Sequence, residues 1–575
     1  MRGLKGLLLA AALLGSRAQA LELRIEAPSA LKPLLEQHMD LARVLREKVQ
    51  LTELEIERLS AEAPAQVREL LQTEGYFDAK VSTSREGDTL VFTVDPGPRS
   101  RIDSLSFEFS GEIKDQPLGA QLRNSWGLPV GQAFTQAAWS TAKLESLARA
   151  RDEGYARASW EDTAAKVDPA RQAVSLALAM DSGPLYHLGE LRIEGLTYQS
   201  AEIVQRLAGF KPGTPYSARR LQDFQERLQK TQLFDGASVE LQPEDDNAAA
   251  APVLVRLRES PRQQATLGLG YHANTGQGVT LDYLNRRPLD LPIRARSKLI
   301  FSREQQAGEL ELSSHPQPDM ARNLVSARVE EDRTGQEVLT NTSFRVGRVW
   351  EYQGAGHDER FVYFEGLRAL QTTGLGRDTS NALSANIQWT RRRLDDLVLP
   401  SQGLQGLLLI GAGAAQSSSA STGPFGRGQF KLQAYDRLPG NWYGTARIEL
   451  DQVLARSAVG VPQALLFREG GDDSVRGYGY QDLGPRVNGQ AVGGRVGAAG
   501  SVEAAHALSP DWPLVWGAAF VDAGNAADRW SSLRPQWGAG LGLRVRSPIG
   551  PLRLDVARGF QAHQWRLHFS VGVVL

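Results

Sequence analysis

The last eleven residues constrain the fold most: Trp565, Leu567, Phe569, Val571, Val573 and Leu575 are apolar, while Arg566, His568, Ser570 and Gly572 between them are polar or small. A period of two with a greasy outer face and a polar inner face is the pattern of a transmembrane barrel strand. Beyond residue 20 no apolar run approaches the length of a membrane helix. Such a chain crosses a bilayer only as a closed barrel, because only helices and barrels satisfy every backbone N–H and C=O in lipid.

The first twenty residues carry Arg2 and Lys5, an apolar run over Leu7–Leu14 and the ending Ala18-Gln19-Ala20. This is the layout of a cleavable secretory signal over residues 1–20, with Leu21 as the first mature residue. Cysteine is absent, which excludes disulfides and Cys-ligated metal. A net charge of −1 gives no reason to invoke nucleic acid.

The 575 residues divide by composition near Pro261: 17 of the 57 glycines fall in residues 1–261 and 40 in residues 262–575. The first part mixes helical periodicity with short strands and repeats itself. Gly75-Tyr76-Phe77 is followed by a strand at Leu90–Val94, Gly154-Tyr155-Ala156 by one at Ala173–Ala179, and Leu233-Phe234-Asp235 by one at Val253–Leu257. Tyr76, Tyr155 and Phe234 are each 79 residues apart. Each repeat reads strand, helix, helix, strand, strand; the third opens with Leu191–Gly195, and its second helix covers Leu221–Gln229. The aromatic of each marks where a helix stops and a ring drops onto a small sheet. The resulting domains are 21–98, 99–184 and 185–260, with their exposed sheet edges as the places to take up an extended partner strand.

From residue 261 to 575 alternation is nearly continuous and is punctuated by Gly, Asn, Asp and Pro, giving about sixteen segments and a 16-stranded antiparallel barrel. In Trp442–Asp451, Trp442, Gly444, Ala446, Ile448 and Leu450 share one face; in Trp537–Arg546, Gly538, Gly540, Gly542, Arg544 and Arg546 share the inner one. The longest connection, between about Leu454 and Val492, contains Ser474-Val475-Arg476-Gly477-Tyr478.

In order and spacing, several motifs resemble the BamA/TamA superfamily of outer-membrane assembly and translocation barrels, and its TamA branch in particular. They are Leu267–Tyr271 with Asn274-Thr275-Gly276; Arg391-Arg392-Arg393 with Asp395-Asp396 and Pro400–Gly403; Phe467; Gly470-Gly471-Asp472; Ser474–Tyr478; Gly493-Gly494; Gly500–Glu503; and Phe520–Gly524. The resemblance covers essentially the whole mature chain and implies that the three repeats are POTRA (polypeptide-transport-associated) domains. It further implies that the loop bearing Arg476, Gly477 and Tyr478 folds into the barrel, where Arg476 meets Glu503 and Asp522 on the wall beside Phe520 and Gly524. An arginine in a partly desolvated lumen needs charged acceptors, and Asp522 shares a strand face with Phe520. The final strand departs from the family's pattern in lacking a terminal aromatic.

The implied function is insertion or export of β-barrel and autotransporter substrates at the outer membrane of a Gram-negative bacterium, with the repeats in the periplasm and without metal, nucleotide or other cofactor. Partners would be unfolded outer-membrane proteins, outer-membrane lipid and a TamB-like, inner-membrane-anchored periplasmic protein. The seam between the first strand, Gln264–His272, and the last, Trp565–Leu575, is where a barrel would open for β-augmentation, with Gly268, Gly270, Phe569 and Gly572 marking it and Gly268 set against Gly572 or in a neighbouring register. The rival transport reading is a two-partner secretion transporter exporting one dedicated substrate through the lumen; three equal repeats and no helix-plus-linker at the start disfavour it. An outer-membrane enzyme is disfavoured because no G-x-S-x-G elbow or H-E-x-x-H helix is present, and His563 and His568, five apart on one strand, would face opposite sides.

Overall fold

The computed structural model describes the chain except residues 1–21, 48–51, 88, 245, 336, 354–355, 374–375, 398–399, 510, 513, 548–549 and 575. The expected signal segment and the final residue of the terminal strand lie outside the described residues.

Alternation from residue 263 onward resolves into a closed barrel of 16 strands. These are β1 Gln263–His272, β2 Gly276–Asn285, β3 Ile293–Ser302, β4 Gln305–Ser314, β5 Ala321–Thr334, β6 Glu337–Gln353, β7 His357–Thr373 and β8 Gly376–Leu394. They continue as β9 Gly403–Ser417, β10 Gly423–Leu438, β11 Trp442–Ala455, β12 Val496–Ala507, β13 Val515–Ala527, β14 Gln536–Ser547, β15 Gly550–Gly559 and β16 Gln564–Val574. Every neighbouring pair is antiparallel, and β1 pairs with β16 to close the ring. Side chains alternate as the period requires. On β16, Trp565 and Leu567 are each 65% exposed on the outer face, while His568 is buried toward the lumen. Among the described residues no helix is long and apolar enough to cross a membrane.

Before the barrel, three small sheets share one topology: in each, the third strand of the repeat lies between the first and the second. In the first, Glu22–Glu26 runs parallel to Thr89–Asp95, and Lys80–Glu86 pairs antiparallel on its other side. The second repeats this with Arg101–Ser110, Ala173–Asp181 and Ser159–Asp168. The third is built of Leu188–Glu194, Ala251–Glu259 and Phe234–Leu241. Gly75 and Gly154 take positive φ, after which Tyr76 N–H and Tyr155 N–H close back on Leu71 O and Ala150 O. Tyr155 and Phe234 are buried, so the Gly-aromatic steps and their third counterpart are core anchors at helix ends.

Three expectations change. The first repeat has three helices, Lys32–His38, Asp40–Arg46 and Glu53–Thr73, instead of two. Met39 leaves the helical region to bury its side chain fully, and the amide of Asp40 donates to Gln66 Oε1 at 3.0 Å. At the seam, Gly270 faces Gly572 and Gly268 faces Val574, which narrows the expected registers to one two residues from the Gly268–Gly572 pairing. Finally, His563 lies in the β15–β16 hairpin with φ 52°, so the two histidines do not share a strand.

The turn between β2 and β3 fixes the end of the third repeat to the barrel. Arg286 donates to Gln232 O at 2.9 Å, to Pro261 O at 2.7 Å and to Gln264 Oε1 at 3.1 Å, and Arg287 donates to Tyr198 O. Just above, the carboxylate of Glu259 accepts from Tyr198 N at 3.0 Å, from Gln199 N at 2.7 Å and from the Thr197 hydroxyl. Burial pushes Glu259 up, but these hydrogen bonds outweigh it and hold the carboxyl below its usual value.

Candidate functional site: the lumenal loop and the seam

The connection between β11 and β12 runs from residue 456 to 495, close to the expected span and shifted along the chain by two to three residues, and folds back into the lumen. Its tip is shaped by glycines. Gly477 has φ 94°, and a Cβ there would lie 2.5 Å from Gly559 N, so only glycine lets the chain turn against β15. The turn delivers Arg476, 7% exposed, to the inner wall.

There Arg476 donates through Nε at 2.8 Å and Nη2 at 2.9 Å to the two oxygens of Asp522, and its backbone N–H adds a third bond at 3.0 Å. Nη1 reaches Glu503 at 2.9 Å and Asp555 at 3.1 Å. The guanidinium carbon lies 3.3 Å from the centroid of the Phe520 ring, which covers the cation from the side the carboxylates leave open. Gly524 leaves space for the loop: a Cβ there would meet Val475 Cγ2 at 2.9 Å. Tyr478 donates to Gln561 Oε1 at 2.7 Å and lies within 3.1 Å of Trp537 O. Every loop and wall residue singled out from the sequence is thus brought to one place.

The structure adds members that sequence reasoning missed. Asp555 on β15 is buried between Arg476 and Arg544, and Arg544 on β14 donates to Glu503 at 2.9 and 2.7 Å. Two arginines therefore share three carboxylates, and Ser501 Oγ donates to Asp522 at 2.7 Å. The available signal was that charged residues on inner faces of β14 and β15 need partners. His568 on β16 accepts the Gly477 N–H through Nε2 at 2.9 Å. Its Nδ1 then carries the proton and donates to Asp472. On its periplasmic side the cluster borders a lumenal cavity of about 270 Å³, lined among others by Tyr435, Tyr443 and Trp516.

Among the described residues the seam ladder covers Gly268–His272 against Ser570–Val574, whereas β7 and β8 pair along 17 residues, from His357–Arg392 to Thr373–Gly376. Among the described residues, Gln263–Leu267 of β1 and Gln564–Phe569 of β16 have no partner strand across the seam. Outside, the rings of Tyr271 and Phe569 lie 5.6 Å apart. The Asp395-Asp396 pair belongs to a turn: Asp395 accepts from the backbone N–H groups of Ser401 at 2.8 Å and Gln402 at 3.0 Å and from the Ser401 hydroxyl. These bonds, that of Ser401 foremost, hold its carboxyl well below the usual range.

A closed 16-stranded barrel with an arginine-bearing loop pinned inside it, preceded by small α+β repeats, defines a class of outer-membrane barrel. The Omp85 superfamily domain matches residues 263–573 and a POTRA repeat, described as a surface antigen variable number repeat, matches residues 186–260; the chain belongs to the Omp85 superfamily. It is 24% identical over 533 residues to the outer membrane protein assembly factor BamA of Nitratidesulfovibrio vulgaris, covering 87% of this chain and 66% of that protein. It is also 37% identical over 118 residues to the chloroplastic outer envelope protein 80 of Arabidopsis thaliana, covering 19% of this chain and 14% of that protein. The chain thus spans just under two thirds of the length of the first relative and a small part of the second. Among solved structures, Haemophilus ducreyi BamA lacking POTRA domains 1–3 shares the fold with a TM-score of 0.67 at 15% identity, over 83% of this chain and 100% of that one. The barrel lies in the outer membrane, with the POTRA region in the periplasm.

Proposed function

We propose that this barrel inserts or exports β-barrel and autotransporter substrates by opening between β1 and β16 and offering the free β1 edge to an incoming strand. The observation that carries the reading is the short ladder at the seam: among the described residues, Gln263–Thr266 presents backbone donors and acceptors with no strand opposite them. Such an edge is a template for β-augmentation. In this reading the protein is not an enzyme; the work is done by exchange of backbone hydrogen bonds. All three repeats act as POTRA domains, a reading supported by their common strand order. They guide unfolded substrates and dock a TamB-like periplasmic protein, as expected for the TamA branch.

The test is a disulfide between Gly270→Cys and Gly572→Cys, which face one another across the seam in a chain that contains no other cysteine. Locked protein that keeps its heat-modifiable migration should stop inserting substrate barrels, and reduction should restore insertion. Insertion that continues through a locked seam points to export through the lumen, as in a two-partner secretion transporter.

A further inference from the structure

The loop that carries Arg476 holds both sides of the seam from within. On one side the Asp472 carboxylate accepts from His568 Nδ1 on β16. On the other, the Asp472 N–H donates to Asn274 Oδ1 at 3.1 Å, and Asn274 Nδ2 donates to Asp473 Oδ2 at 3.3 Å. Asn274 belongs to the β1–β2 hairpin and is only 8% exposed, so its amide is turned inward onto the loop. His272, the last residue of β1, adds ring nitrogens 3.9 Å from Asp472 and 3.7 Å from Asp473. One dipeptide, Asp472-Asp473, thus bridges the first hairpin and the last strand.

The loop is also anchored away from the seam, by the buried Arg468–Glu337 pair to β6 at 2.6 Å; its two attachments at the seam itself differ in strength. Toward the C-terminal strands the loop is held by the Arg476 cluster, by Gly477 on His568 and by Tyr478 on the β15–β16 hairpin. Toward β1 it is held by two single hydrogen bonds of Asn274, one at 3.1 Å from the Asp472 N–H and one at 3.3 Å to the largely exposed carboxylate of Asp473, supplemented by the longer approach of His272. A forked pair of two full charges shielded from solvent holds more strongly than single, longer bonds of an amide, one of them to an exposed, screened carboxylate. When the seam widens, the Asn274 side is therefore the one that lets go.

We propose that Asn274 is the releasable catch of the seam: a positioning residue that holds β1 against the loop, while the loop itself travels with β12–β16. This rests on the reading that the seam opens, and adds which contact breaks and which half keeps the loop.

The test uses the full chain in lipid bilayers with Gly270→Cys and Gly572→Cys, reading the rate of disulfide formation. Asn274→Asp keeps the acceptor for Asp472 N–H but sets a carboxylate against Asp473, and should slow cross-linking several-fold with heat-modifiable migration retained. Adding Asp473→Asn returns a donor to that pair and should restore the parental rate. Cross-linking of Asn274→Asp at the parental rate, or slowing that Asp473→Asn leaves unrelieved, overturns the proposal. If Asn274→Asp does not migrate as a folded barrel, Asn274→Ala decides: slower cross-linking supports the catch and a parental rate overturns it.

A second readout follows the loop. Spin labels at Val487 in the loop and Arg303 in the β3–β4 hairpin should broaden in distance in Asn274→Asp, while Val487 and Ala562 in the β15–β16 hairpin should keep theirs. Broadening confined to the Ala562 pair contradicts a loop that travels with the last strands. Failure of the seam lock to stop substrate insertion would count against lateral opening; parental cross-linking in Asn274→Asp would count against the catch alone.

Discussion

Arg476 and Asp522 form a forked pair, Nε to Oδ2 at 2.8 Å and Nη2 to Oδ1 at 2.9 Å, with Asp522 wholly shielded from solvent. A buried carboxylate deprived of its partner is left uncompensated, and breaking such a pair from one side costs about 3–5 kcal/mol. Arg476→Ala should therefore release the loop from the wall, read as protease cleavage within residues 456–495 of the folded barrel. Arg476→Lys keeps the charge and loses the fork, so cleavage should fall between the parent and the alanine variant.

Asp555 accepts from Arg476 at 3.1 Å and also faces Arg544, so its removal should be felt at both arginines. A double-mutant cycle of Asp555→Asn with Arg476→Lys should give a coupling of about 0.5–3 kcal/mol in loop release, the range for residues in one network. Additive effects would place Asp555 outside the cluster.

Phe234, buried in the third repeat, should cost about 3–5 kcal/mol when truncated to alanine, as large core aromatics do. Urea unfolding followed by hydrogen exchange at the amides of the third repeat should show its transition at lower denaturant, with the barrel's heat-modifiable migration unchanged.

Glu259 is held below its unfolded value, so the unfolded chain binds the proton more readily and the native state loses ground in acid. Its contribution is complete above the unfolded pKa, about 4.3, and fades as pH falls through the lower native value. Hydrogen exchange at the amides of Tyr198 and Gln199 should show less protection at pH 3 than at pH 7, after correction for intrinsic rates, and Glu259→Gln should remove most of that difference.

Much of this was legible from the chain. Alternation assigns inner and outer faces because the side-chain period is two, and so it placed Phe520, Asp522 and Gly524 on one face. It cannot set the pairing register to better than two residues: sliding β16 by two leaves every side chain on its own face, so alternation leaves Gly268 and Gly270 equal candidates opposite Gly572, and the structure pairs Gly270 with it. Asp555, His568 and Asn274 were missed for a related reason. Their roles depend on where the loop descends and how neighbouring strands are staggered, and neither leaves a local pattern. The break at Met39 carries no glycine or proline at the break itself; burial of its side chain, a tertiary effect, ends the helix.

The most direct measurement is substrate insertion by the Gly270→Cys, Gly572→Cys protein, oxidised and reduced. Insertion that stops on oxidation and returns on reduction, with the barrel folded throughout, is the expected result. Undiminished insertion by protein shown to be fully cross-linked would contradict opening at the seam.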